Sequence, residues 1–364
     1  MNEKDFIAKQ ELVVPQSGSF KWKAPSNIAL VKYWGKRPNQ IPANPSISFT
    51  LDACATTTKL TFEALKKPAS DFSFDLLFEG KLKDAFKPKI KTFFERIEDY
   101  LPFLKHYHFT IETSNSFPHS SGIASSASGM AALALCLLSI EKKADKEMTD
   151  AVFNKKASFL ARLGSGSACR SIAGSLIHWG KHEKTEGSTD LYGIDYPFEI
   201  NTVFKNYHDT ILLVHKGEKV VSSTVGHGLM NGHPFARQRF QQAHENLTEL
   251  QGIFLEGDLE KFIEIVESEA LTLHAMMLTS KPSFILMHPN TVAVITKIQQ
   301  FRKATGTPIC FTLDAGANVH VLYPESVKEK AIQFIQDELV VYCENGHYIC
   351  DRIGKGAKEL NARP

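Results

Sequence analysis

The sequence predicts an α+β protein of two domains, residues 1–205 and 206–364, and three observations carry that expectation. At 364 residues the chain is long for one compact core. Its first half places strands ahead of helices, the order of an α+β domain. After the polar stretch GKHEKTEGSTDLYG the chain starts again, and its later strands and helices fit a ferredoxin-like sandwich.

Each element has a local reason. NIALVKYWGK holds an apolar strand over residues 28–34, ended by Gly35. SISFTLDACATTTKLTFEAL, rich in Thr, Phe and Ile, reads as strands. Residues 86–104 read as a helix, and HYHFTIETSN alternates as a strand. A small-residue loop at 120–129 precedes an apolar helix from Met130, with a second helix near 147–163. The loop GSGSACRS and the strand GSLIHWG complete this half. In the second half TILLVH, residues 210–215, is a strand, and two or three amphipathic helices fill residues 234–305. CFTL and VHVLY flank DAGAN as a hairpin, and ESVKEKAIQFIQ is a helix before a strand at LVVYC.

Composition narrows the function. An apolar share of 43% and a charged share of 23% are ordinary for a globular protein. A formal net charge of +2 speaks against broad electrostatic binding to nucleic acid or an anionic membrane, so any anion site is local. Six scattered cysteines with no metal-like spacing predict a reduced, cytoplasmic protein. The first residues have no apolar h-region, so no signal peptide is expected, and the run at 130–140 is too short to span a bilayer. Fourteen histidines show no H-E-x-x-H pattern, and His119 and His274 read as structural.

Five stretches carry chemistry. NSFPHSSGIASSASG offers backbone N–H groups and hydroxyls at the positive end of the apolar helix, a nest for a nucleotide's phosphates. It lacks the Lys of a P-loop, and a plain turn capped by Ser128 is the local alternative. In LGSGSACRSIAG, Ser165 and Ser167 alternate with glycines ahead of Arg170, whose small neighbours leave it open to a phosphate or carboxylate. NIALVKYWGKR sets Lys32 among apolar neighbours, with Tyr33, Lys36 and Arg37 beyond it; cations aimed into a cleft or snorkelling lysines both explain this. In TLDAGANVH, Asp314 sits at a hairpin tip, either as a turn former or as a general base. VVSSTVGHGLM is an ordinary loop or one that closes over phosphates.

Taken in order, APSNIALVKYWGKR, NSFPHSSGIASSASG, GSGSACRS, SSTVG and TLDAGAN closely resemble the diphosphomevalonate decarboxylases. That family lies within the galactokinase, homoserine kinase, mevalonate kinase and phosphomevalonate kinase (GHMP) superfamily. The resemblance runs from about Ala24 to Tyr323. It implies a ribosomal-protein-S5-like N-terminal domain, a ferredoxin-like C-terminal domain and an active site between them. It implies a cytoplasmic homodimer of the mevalonate pathway that converts ATP and mevalonate diphosphate to isopentenyl diphosphate, CO2, ADP and phosphate. Ser120, Ser121, Gly122, Ala124, Ser125, Ser126, Ser128, Ser222 and Ser223 would serve ATP, with Ser125 and Ser126 nearest Mg²⁺. Tyr33, Lys36, Ser165, Ser167 and Arg170 would bind the acidic substrate. Asp314 would act on the 3-hydroxyl with Lys32 keeping it ionised, and Arg170 would hold the carboxylate with help from Asn27.

The chain departs from the family pattern at loop edges: PHSSG before the phosphate loop, His227 and Gly228 after SSTVG, and Thr279 with a single proline in HAMMLTSKPSF. These bear on substrate closure and affinity more than on chemistry. A 3-kinase, a decarboxylase of a monophosphate relative and a non-catalytic ligand sensor are the alternatives.

Overall fold

The computed structural model describes residues 2–9, 13–118, 123–217 and 223–361. In chain order the first half contains β1 (Ser17–Val31), β2 (Ser46–Ala64), β3 (Ser73–Phe78), β4 (Lys81–Leu82), α1 (Lys87–Ile97), β5 (Tyr107–Asn115), α2 (Ser125–Ala144), α3 (Asp150–Gly164), β6 (Leu176–Trp179) and β7 (Ile194–Asp195). The second contains β8 (His208–Leu212), α4 (Ser223–Gly228), α5 (Ala236–Glu256), α6 (Leu259–Leu278), α7 (Pro289–Thr305), β9 (Cys310–Leu313), β10 (Val319–Tyr323), α8 (Lys328–Phe334), β11 (Tyr348–Arg352) and β12 (Lys358–Leu360).

Two sheets result. The larger runs β12-β1-β2-β5-β3-β4, with β6 added on β2 and β7 on β6. Its pairs are antiparallel except β3 with β5. The smaller is antiparallel, β11-β8-β10-β9, which is the ferredoxin-like order expected of this half. The chain's last strand, β12, returns to pair with β1 of the first sheet.

α2 explains how the first half is built. Its residues from Met130 to Ile140 are buried on all sides, so the helix forms the centre of a layer against β1, β2 and α3. A second apolar cluster joins Ile28, Leu30, Ile47 and Phe49 of the large sheet to Leu247 and Phe254 of α5 and Phe262 of α6. The two halves are therefore packed on each other beside the end of β1.

Several expected bounds shift. β1 and β2 are longer than anticipated, 15 and 19 residues, and β1 stops at Val31 rather than at Trp34. The first helix ends at Ile97, and α2 starts at Ser125, five residues ahead of Met130. The strand expected at 210–215 is His208–Leu212. LVVYC is not a strand: Val340–Tyr342 forms a helical turn, and the edge place beside β8 belongs to β11. Leu339 is buried while Val341 is exposed, which a tight turn on the sheet's covering helix satisfies as well as a strand would.

Candidate active site

Lys32 marks the meeting of the two halves. Its backbone N–H donates to Glu269 Oε2 of α6 at 2.8 Å. Its carbonyl accepts from Asn44 Nδ2 and Arg239 Nη2, both at 2.9 Å. These partners replace the sheet ladder, which is why β1 ends there. The Lys32 ammonium donates to Ala29 O at 2.6 Å and reaches Asp314 Oδ1 at 3.4 Å. Lys32 is buried, whereas the Asp314 side chain keeps 28% of its surface. Burial pushes the Lys32 ammonium below the usual lysine value; Asp314 and then Glu269 oppose the shift, and Arg170 adds to it.

Asp314 follows β9 in the hairpin to β10, and His274 of α6 fixes its backbone, with Nε2 3.2 Å from the Asp314 carbonyl oxygen. Burial drives that imidazole's pKa down to about 4, so the ring is neutral near pH 7 and Nε2 carries its proton.

Arg170 departs from expectation. GSGSACRS is no open loop: Gly166–Ser171 winds tightly against α2 and α3, and Arg170 is only 3% exposed. Its Nε donates to Asn27 Oδ1 at 3.3 Å, Nη1 donates to Ser46 Oγ, and Cζ lies 5.7 Å from the Trp179 ring. Asn27 in turn donates to Ser171 Oγ at 2.8 Å and to the Ser167 carbonyl at 3.2 Å. Burial lowers the Arg170 pKa, with Cys169, then Asp314 and Tyr33, opposing it. Asn27 and Arg170 are thus brought together, within the electrostatic field of Asp314.

Beyond Lys32 the chain turns at Gly35, whose φ of +95° is a conformation glycine supplies readily. Tyr33 packs edge-on to Trp179 at 4.7 Å, and its buried hydroxyl has no hydrogen-bond partner among the described residues. A Cβ at Gly166 would lie 2.8 Å from that hydroxyl, so glycine is required for the approach. Burial raises the Tyr33 phenol well above its ordinary value, keeping it a donor. Lys36 is half-buried and donates to Gln40 Oε1 at 3.3 Å. Burial, then Arg96, lowers its ammonium pKa.

The start of α2 faces this group. Ala124 sits at φ +45°, and Ser125 and Ser126 form the first turn. The Ser126 hydroxyl lies 3.4 Å from that of Ser165, which joins the helix start to the Arg170 segment. Ser128 does not face a ligand. It is fully buried with its hydroxyl 2.6 Å from Thr56 Oγ1, and it does not cap the helix, which begins three residues earlier. Ser120, Ser121, Gly122 and Ser222 lie outside the described residues, as does the side chain of Ser223. Beside Ser125, Ser126 and Gly129 opens a cleft lined largely by Leu76, Phe78, Phe86, Ile90, Ile111 and Met130, with Lys89, Asn115 and two threonines as polar members. Among the described residues no group of three or more His, Cys, Asp or Glu is arranged to hold a metal ion.

Sequence reasoning missed Glu269, Arg239, Asn44 and Ser46, all buried and all bonded to Lys32 or Arg170. Glu269 also accepts from Arg239 through both carboxylate oxygens, at 2.9 and 2.5 Å, and from Asn246 at 2.6 Å. The available signal was a Glu and an Arg set among apolar residues of amphipathic helices. His227 was noted only as a departure, yet its ring packs at a tilt against Tyr33 and Trp34.

Known proteins resemble this chain over most of its length. Residues 24–190 match the model of the diphosphomevalonate decarboxylase-like N-terminal domain, and residues 210–360 that of the mevalonate 5-diphosphate decarboxylase C-terminal domain. The diphosphomevalonate decarboxylase of Aspergillus fumigatus is 30% identical over 84% of this chain and 77% of its own. The human enzyme is 28% identical over 81% and 74%. Mevalonate diphosphate decarboxylase from Staphylococcus aureus superposes with a TM-score of 0.80 at 30% identity, over 95% of this chain and 98% of that one. A structure described as MDDEF in complex with MVAPP, AMPPCP and magnesium gives 0.80 at 28%, over 95% and 100%. A TM-score this high over nearly the whole length of both chains shows one common fold. This chain belongs to the diphosphomevalonate decarboxylase family.

Proposed function

We propose that this chain catalyses the ATP-dependent decarboxylation of mevalonate 5-diphosphate to isopentenyl diphosphate, CO2, ADP and phosphate, a step of the mevalonate pathway. The observation that carries the reading is the Lys32–Asp314 pair, at 3.4 Å across the two halves. A partly exposed carboxylate there meets a buried cation, Arg170 is held by Asn27, and the start of α2 reaches the Arg170 segment through Ser126 and Ser165.

A tertiary hydroxyl leaves poorly, so the chemistry begins by converting it. Asp314 accepts the proton of the 3-hydroxyl as that oxygen attacks the γ-phosphorus of ATP, and Lys32 favours the ionised carboxylate. N–H groups at the start of α2 and the hydroxyls of Ser125 and Ser126 hold the phosphates, and the neighbouring apolar cavity takes the nucleoside. Ser125 and Ser126 are the hydroxyls placed to join a phosphate-held Mg²⁺, which when bound neutralises charge on the phosphates. The C3–O bond then breaks, and phosphate leaves with the bonding electrons. The C1–C2 bond breaks next, releasing CO2, and its electron pair becomes the C2–C3 double bond. Arg170 holds the carboxylate in line, oriented by Asn27, while Ser165 and Ser167 fix the same end of the substrate. Tyr33 and Lys36 take the diphosphate, the first as a buried donor and the second as a half-buried cation.

The proposal extends to two domains dividing near residue 205 and to a homodimer in the cytoplasm. Six free cysteines, five of them buried, suit a reducing compartment. No helix among the described residues is long and apolar enough to cross a membrane. The test is incubation with ATP, Mg²⁺ and mevalonate 5-diphosphate, following ADP and CO2 together. Equal release supports the reading; ADP without CO2 makes the protein a 3-kinase, and neither product overturns it.

A further inference from the structure

The mechanism above leaves α4 without a task, although its His227 is buried against the substrate-facing segment. The Gly35 N–H donates to His227 Nδ1 at 3.0 Å. The imidazole lies between two rings of the same segment, 4.3 Å from Tyr33 and 4.6 Å from Trp34. Gly226 permits this seat, since a Cβ there would come within 2.6 Å of the Trp34 ring. Burial, reinforced by Lys36 and Arg170, drives the His227 pKa down to about 3, so the ring is neutral. Nδ1 accepts the backbone proton, which puts the ring's own proton on Nε2. The segment from Lys32 to Lys36 is therefore tied at two points by the second half, at Lys32 by Glu269 and at Gly35 by His227.

We propose that His227 is a positioning residue for the anionic substrate: by accepting the Gly35 N–H it fixes the turn that sets Tyr33 and Lys36 in place. This rests on the reading of Tyr33 and Lys36 as the diphosphate site. The ring acts through the backbone and not on the reacting atoms. Its loss therefore weakens substrate binding and leaves phosphoryl transfer and ATP binding alone. A lost buried hydrogen bond with its donor left unpaired corresponds to about a ten-fold change in an equilibrium constant.

Three variants separate the hydrogen bond from mere packing. His227→Asn places an amide oxygen where Nδ1 sits, His227→Gln places one where Nε2 sits, and His227→Ala places none. Steady-state kinetics should show KM for mevalonate diphosphate raised about ten-fold in the Ala and Gln variants. KM for ATP and kcat should stay within about two-fold, and the Asn variant should return close to wild type. Equal defects in the Asn and Ala variants, an unchanged substrate KM, or an equal rise in the ATP KM would overturn the proposal. Hydrogen exchange at the Gly35 amide gives a readout that needs no turnover: protected in wild type and His227→Asn, unprotected in His227→Ala. If wild type releases neither ADP nor CO2, the assigned function fails, and the exchange result still decides whether His227 holds the turn. Equal protection in all three proteins refutes it.

Discussion

Replacing Glu269 with Gln tests whether the site is held from beneath by a buried ion pair. Glu269 and Arg239 are both fully shielded side chains, with two hydrogen bonds between carboxylate and guanidinium, at 2.9 and 2.5 Å. The same carboxylate accepts the Lys32 N–H, and the same guanidinium donates to the Lys32 carbonyl. Glu269→Gln leaves the Arg239 charge buried with only neutral acceptors, a loss of about 3–5 kcal/mol. Arg239→Met alone strands the carboxylate and has a comparable effect. The double variant Glu269→Gln/Arg239→Met removes both charges together and should cost less than either single change, because no uncompensated charge remains. Guanidinium denaturation of the four proteins gives the cycle, and turnover at saturating substrate gives the functional consequence for Lys32. Additive losses in the double variant would refute the argument, for they would mean that the two groups do not compensate each other. Full activity in a folded Glu269→Gln protein would refute the further claim that this pair places Lys32.

Asp314→Asn keeps the shape of the hairpin but removes the base, and turnover should fall by about 10²–10⁴-fold. Nucleotide binding, followed by calorimetry, should be unchanged; appreciable residual turnover rejects the base. Arg170→Ala should lose about 2–4 kcal/mol of transition-state stabilisation, seen as kcat falling with kcat/KM. A rise confined to the ATP KM would place Arg170 away from the carboxylate. Three buried histidines predict acid lability. His178 and His274 titrate at about 4 and His227 at about 3, each lowered chiefly by burial, against an unfolded value of about 6.5. Between roughly pH 6.5 and 4 the unfolded chain therefore binds up to three more protons. Stability falls as pH falls, by up to 3 × ~1.36, or about 4 kcal/mol per pH unit. Denaturation midpoints that stay level from about pH 7 to about pH 5 would contradict this.

The fold was legible where local pattern and tertiary context agree. The apolar strings CFTL and VHVLY flanking a Gly-bearing turn mark β9 and β10, and unbroken apolar sequence marks α2 as a central helix. Pattern failed where a long-range partner decides the outcome. Tyr33 and Trp34 continue the apolar strand pattern, but the chain leaves the sheet at Lys32 because side chains of α5, α6 and residue 44 take its backbone groups. LVVYC has strand composition, yet the edge beside β8 is filled by residues that come later in the chain.

The site divides along the same line. Residues that meet a ligand sit in short, unusual strings of small and charged residues, so Lys32, Tyr33, Lys36, Arg170 and Asp314 could be named from sequence. Residues that hold those groups in place have no such constraint on their neighbours. Glu269 lies in an amphipathic helix, 237 positions from the backbone N–H it accepts, and its apolar neighbours signal burial without naming the partner. Arg170 shows the converse: its motif was plain but its environment was not. Glycine and serine neighbours read as openness, whereas their small size is what lets α2, α3 and the Tyr33 ring close on the segment that carries Arg170. Small side chains around a charge are thus ambiguous in sequence between an exposed loop and a buried one. The ambiguity is resolved only by whether other elements supply acceptors, here Asn27 on β1 and Ser46 at the start of β2. That buried placement also favours catalysis, because a desolvated, pre-oriented guanidinium acts more strongly on a carboxylate than a solvated one does.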